Sequence, residues 1–77
     1  MAIVIHRRLD LKDVSCRRSL RRVSSTMAEL SPGELVEIIA TDPASVGEFA
    51  AWSRATGNTL LESSQFGTVF RFVIRKL

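Results

Sequence analysis

At 77 residues, 45% apolar and 25% charged, the chain has the composition of a folded globular protein and room for one domain, residues 1–77, rather than a disordered segment. A single cysteine, Cys16, excludes an internal disulfide and with it a bridge-stapled secreted scaffold, and no apolar run approaches the ~18 residues that span a bilayer. The formal charge of +3 is uneven: residues 1–26 carry seven basic side chains against two acidic ones, and residues 27–77 carry four against six. That asymmetry points to one surface suited to an acidic partner.

The opening AIVIHRRLDL alternates Ile3, Ile5, Leu9 and Leu11 with Val4, His6, Arg8 and Asp10, a period of two that predicts a strand with one wetter face. Its short apolar run precedes the charge, the reverse of a signal peptide, so the expected location is the cytoplasm. After Cys16 the period changes. Leu20, Val23, Met27 and Leu30 recur at spacings of three and four and predict a helix. Arg17 with Arg21, and Arg18 with Arg22, stack at i,i+4 on its outer side, where like charges cost roughly 0.2–0.5 kcal/mol a pair. Local helix stability does not explain them.

SPG at 31–33 reads as a type II turn and ELVEIIA as a β-branched strand with Val36, Ile38 and Ala40 on one face. A second helix follows ATDPAS. Ser45 and Glu48 have capping-box spacing, Val46, Phe49, Ala50 and Ser53 form the expected inner stripe, and Gly57 suits the left-handed cap. NTLLESS predicts a third strand, QFG a turn, and TVFRFVIRK a final strand with Phe70, Phe72 and Ile74 inward and Val69, Arg71, Val73 and Arg75 outward. The order β-α-β-α-β-β predicts an α+β two-layer sandwich, with two helices packed on one face of a four-stranded mixed sheet.

Cys16 is expected at the N-cap of the first helix or one residue from it. Free backbone N–H groups and the helix dipole favour a thiolate there, and Lys12, Arg17 and Arg18 add positive charge. Its neighbours Ser15 and Arg17 suggest a polar setting rather than an inert core position, and the thiol is expected to titrate below the ~8.5 of a free one.

LDLKDVSC before a helix, then LSPGELVEIIATDPAS, FAAWSRATGNTLLES and a closing FRFVIRK, resembles the TusA/SirA-like family of small sulfur carriers over nearly the whole chain. The family opening D-x-R-G-L-x-C-P-x-P aligns with Asp10 to Ser19, and its L-x-P-G-E and A-T-D-P segments with Leu30 to Glu34 and Ala40 to Pro43. The resemblance implies a βαβαββ sandwich in which Cys16 takes a sulfane sulfur as a persulfide and yields it to a partner, with no metal or organic cofactor. It implies a sulfur-donor protein, of cysteine desulfurase or rhodanese type, and an acceptor sulfurtransferase as partners. Arg17, Arg18, Arg21, Arg22, Lys12 and Asp42 are then the expected partner-facing residues. Asp42 matches an acidic family position and equally suits a cap for the turn before the second helix.

The sequence also departs from the family. Arg17 and Ser19 replace both prolines of C-P-x-P, Asp13 stands where glycine is usual, and Ser53 and Asn58 stand where many members have a second cysteine and a histidine. A two-thiol mechanism is thereby excluded. The altered motif motivates an alternative: a degenerate member acting as an interaction or regulatory module through its basic first helix. Nucleic-acid binding is disfavoured, because the outer sheet face offers no aromatic stacking pair. His6 has no clustered ligands to make a metal site, and Ser24, Ser25 and Thr26 have no base to activate a hydroxyl.

Overall fold

A computed structural model describes residues 4–77. It contains β1 (Arg7–Leu11), α1 (Cys16–Glu29), β2 (Leu35–Ala40), α2 (Ser45–Thr56), β3 (Thr59–Phe66) and β4 (Val69–Arg75), in that chain order. The sheet runs β1-β2-β4-β3, with β1 and β2 parallel and the other pairs antiparallel. A helical crossover such as α1 is what permits two consecutive strands to lie parallel, whereas β3 and β4 need only the short turn at Gly67, whose φ is 61°.

Period two in the strands and period 3.6 in the helices meet in a single core. Leu11, Val36, Ile38, Ala40, Phe70, Phe72 and Ile74 supply the sheet side; Val23 and Met27 of α1 and Phe49 of α2 supply the helix side. Phe49 is fully buried and lies 4.8 Å, centroid to centroid, from Phe72. A phenylalanine so placed contributes roughly 1.5–3 kcal/mol by burial alone.

The other sheet face carries ion pairs instead of a second layer. Arg71 links Glu37 on β2 (2.7 Å) to Glu62 on β3, and Arg8 on β1 approaches Glu37 from the other side at 3.4 Å. These side chains roof Val73, which is buried on the outward face. Among the described residues no helix is long and apolar enough to cross a membrane.

Several sequence expectations shift in detail. The first strand begins at Arg7 rather than at residue 2, because β2 begins at Leu35 and Arg7 already pairs with Val36. The expected Ala2 and Ile3 positions lie outside the described residues. His6, just before β1, binds the start of β2 instead: its Nδ1 accepts from the Leu35 N–H at 3.1 Å, and Nε2 lies 3.5 Å from Glu34. At α2 the Ser45–Glu48 capping box does not form; Ala44 is the N-cap and has no side-chain bond to the helix. Its buried face is Ser45, Phe49 and Ser53, so the helix is rotated from the expected stripe and Val46 faces water. Gly33 and Gly57 adopt the positive φ their turns require, 88° and 79°. β3 runs through Gln65 and Phe66, which the sequence suggested as a turn.

Candidate functional site

Ser15 is the N-cap of α1. Its carbonyl accepts the Ser19 N–H at 2.9 Å and its Oγ accepts the Arg18 N–H at 3.4 Å. Cys16 is therefore the first helical residue. Its own N–H, one of the unpaired donors of a helix start, is taken by Asp42 Oδ2 at 2.8 Å. The other carboxylate oxygen of Asp42 accepts from Ala44 N–H at 3.0 Å, and its carbonyl accepts from Ser45 N–H at 2.9 Å. One side chain thus shapes the turn into α2 and fixes the start of α1. The two backbone bonds hold the Asp42 carboxyl below its ordinary value.

The approach to Cys16 is also held from below. Asp13 sits at φ 64°, in the left-handed region that glycine enters freely and aspartate tolerates, and its N–H donates to Thr41 Oγ1 at 2.8 Å. The glycine usual in the family at this position is consistent with that backbone shape.

Cys16 is buried, with 6% of its surface exposed, and this corrects the expected polar setting. Cys16, Ser19, Val23, Thr26 and Met27 form the buried face of α1, so the thiol extends the inner stripe by one turn. The expected acidity is also reversed. Burial pushes the Cys16 thiol up, and the Asp42 and Glu48 carboxylates push it further in the same direction. Asp42 occupies the helix start whose partial positive charge would otherwise serve the thiolate. The Ser45 hydroxyl acts in the opposite sense, favouring the charged sulfur.

Cys16 lines a depression of ≈ 420 Å³ with Arg17, Leu20, Ala44 and Glu48. Arg18, Arg21 and Arg22 line a neighbouring one of ≈ 320 Å³ with Leu11, Asp13 and Val14. The basic residues singled out from the sequence therefore divide. Arg17 shares the sulfur's depression, the other three arginines line the second one, and Lys12 pairs with Asp10 at 3.1 Å. Among the described residues Arg17, Arg18, Arg21 and Arg22 form no ion pair, while Arg8 and Arg71 are matched by glutamates. Two unpaired arginines in the first turn of α1 also oppose its dipole, at roughly 0.3–1 kcal/mol each. Glu48 and Ser45, both beside the sulfur, were not indicated as site residues by the sequence. Their one visible signal, the capping-box spacing, pointed to a different role.

The arrangement defines an α+β sandwich with one buried cysteine at a helix start, its N–H bound by a carboxylate from the β2–α2 loop. The chain matches the family described as Sulfurtransferase TusA over residues 7–76. It is 40% identical over 68 residues to the sulfur carrier protein TusA of Allochromatium vinosum, which spans 88% of this chain and 90% of that protein. It is 35% identical over 68 residues, 88% of this chain and 91% of the relative, to YrkI of Bacillus subtilis, named as a candidate sulfur carrier. The chain belongs to the TusA sulfurtransferase family.

Proposed function

We propose that the protein is a cytoplasmic sulfur carrier that accepts a sulfane sulfur on Cys16 and passes it to a partner protein. The observation that carries this reading is the placement of the chain's one cysteine at the first residue of α1, lining an open depression, in a member of the TusA family. In the loading step the Cys16 thiolate attacks the outer sulfur of a donor persulfide. The donor's S–S bond breaks, its inner sulfur leaves as a thiolate, and Cys16 holds the persulfide S–SH. In the release step an acceptor thiolate attacks that outer sulfur and Cys16 leaves as a thiolate. Neither step needs an external oxidant or reductant. A reducing compartment keeps the lone thiol available.

Donors of cysteine desulfurase or rhodanese type, and an acceptor sulfurtransferase, are the partners this chemistry requires. The unpaired arginines 17, 18, 21 and 22 suit an acidic docking surface on either one. Because burial and two carboxylates favour the protonated thiol, loading accelerates with pH, approaching tenfold per unit while the thiol remains mostly protonated.

The same burial favours a second reading, in which the chain is an interaction module whose cysteine is a core filler. Intact-protein mass spectrometry after incubation with a cysteine desulfurase and cysteine, and separately with polysulfide, separates the two. The expected result is a reductant-labile gain of one sulfur that a Cys16→Ser variant does not show. No gain from either donor, at neutral or alkaline pH, selects the interaction module.

A further inference from the structure

Three serine hydroxyls, Ser19, Ser45 and Ser53, are buried and meet no hydrogen-bond partner among the described residues, and of these Ser45 stands at the end of the loop that also binds the Cys16 N–H. Ser45 is the first residue of α2, one position after Ala44, which lines the depression with Cys16. Asp42 binds Cys16 N–H with its carboxylate and Ser45 N–H with its carbonyl, so the two residues are held to the same short loop. A buried polar group without a partner is costly and calls for an explanation. A serine hydroxyl can rotate its proton onto any acceptor that becomes available.

We propose that Ser45 is the hydrogen-bond donor to the Cys16 sulfur, engaged when that sulfur carries charge. This rests on the sulfur-carrier reading and deepens it. Both transfer steps place negative charge on Sγ, as the attacking group in loading and as the leaving group in release. In the resting protein the neutral thiol is a poor acceptor and the Ser45 hydroxyl forms no bond to it, so the hydroxyl is free to turn toward Sγ when the sulfur becomes charged. Once the proton leaves, Sγ becomes a strong acceptor inside a site that otherwise disfavours charge. The charged groups around it are Asp42 from the loop, Glu48 from α2 and Arg17 from α1. Of these, the two carboxylates oppose the thiolate, so a neutral donor on the α2 side offsets them without adding a competing charge.

The test is the pH dependence of alkylation of Cys16 by iodoacetamide in wild type, Ser45→Ala and Ser45→Thr, with thermal unfolding followed in parallel. Removing the hydroxyl is expected to raise the midpoint by about one pH unit, the low end for a hydrogen bond to a charged group. Alkylation at pH 7.5 then falls about tenfold, because one pH unit is one decade of thiolate. Threonine, which keeps the hydroxyl, holds the wild-type midpoint. Ser45→Gly removes the same group and provides this comparison should the alanine variant fail to fold.

An unchanged midpoint in the variants lacking the hydroxyl overturns the proposal. So does a midpoint raised equally in the threonine variant, since shape rather than the hydroxyl would then be responsible. Alkylation needs no sulfur donor, so the outcome stands even if persulfide loading fails in wild type. Failure of the carrier reading and failure of this inference are thereby distinguishable.

Discussion

Asp42 and Cys16 meet through one hydrogen bond, yet their titrations pull stability in opposite directions. Two backbone N–H groups hold the Asp42 carboxyl below its ordinary value, so its contribution is present above about pH 3.9 and is lost as pH falls through the folded value. The Cys16 thiol is pushed up by burial, so its contribution is present below about pH 8.5 and is lost as pH rises through and above that value. Thermal unfolding from pH 2 to 10 should therefore show a plateau with a decline at each end. Asp42→Asn should lower the plateau, because both carboxylate oxygens accept a backbone N–H and the amide nitrogen that replaces one of them cannot, and should flatten the acid decline. Cys16→Ala should flatten the alkaline decline and leave the acid one unchanged. An alkaline limb that persists undiminished in Cys16→Ala would refute the assignment of that limb to the buried thiol.

At the level of elements, the start of α1 separates the two proline positions of the family motif. The Arg17 amide donates to no protein group among the described residues, whereas the Ser19 amide donates to Ser15 O at 2.9 Å. Arg17→Pro is expected to stabilise by about 0.5–1 kcal/mol through the unfolded chain. Ser19→Pro is expected to cost roughly 1–3 kcal/mol for a lost bond and a crowded carbonyl. Urea denaturation of the two variants checks this, and equal shifts would mean that Ser15 does not anchor the turn. This turn also marks where the sequence stops being legible. The strands, the Gly33 and Gly57 turns and the helix order follow from period and turn chemistry, which are local. Cys16 and Ser19 lie on the buried face of α1, but Ser19 is polar and Cys16, four residues before Leu20, sits between Ser15 and Arg17, so the stripe appeared to begin at Leu20. The capping role expected of Ser45 is taken by Asp42, whose simultaneous bond to Cys16 spans 26 residues and leaves no local signature. Cys16, the arginine cluster and Asp42 could be named from residue type and motif. The burial that reverses the thiol's acidity is a property of how α1 meets α2.

Across the whole molecule, positive charge remains uncompensated on α1. On the outer sheet face Arg8 and Arg71 are held by Glu37 and Glu62, which leaves Arg75 at the end of β4 as its one arginine without an ion pair among the described residues, so that face offers an acidic partner less attraction than the four arginines of α1. Replacing Arg17 and Arg18 by glutamate changes the formal charge from +3 to −1, two units for each residue, on exposed side chains with no ion-pair partner among the described residues. Fold and function should then move in opposite senses. Glutamates suit the positive end of the helix dipole, and each would face an arginine four residues on, at Arg21 and Arg22, in the favourable orientation. Stability should rise by about 1 kcal/mol. Affinity for an acidic donor or acceptor should fall at least about tenfold, as expected for reversing charge in a steered interface, and the remaining binding should lose most of its salt dependence. Binding is best measured in a Cys16→Ser background, because the added carboxylates would also raise the thiol's pKa and confuse docking with transfer. A more stable variant that still binds its donor with wild-type affinity would make the arginine face a solvated surface. A more stable variant that no longer binds would show that these side chains are kept for the partner, at a cost to the helix that carries them.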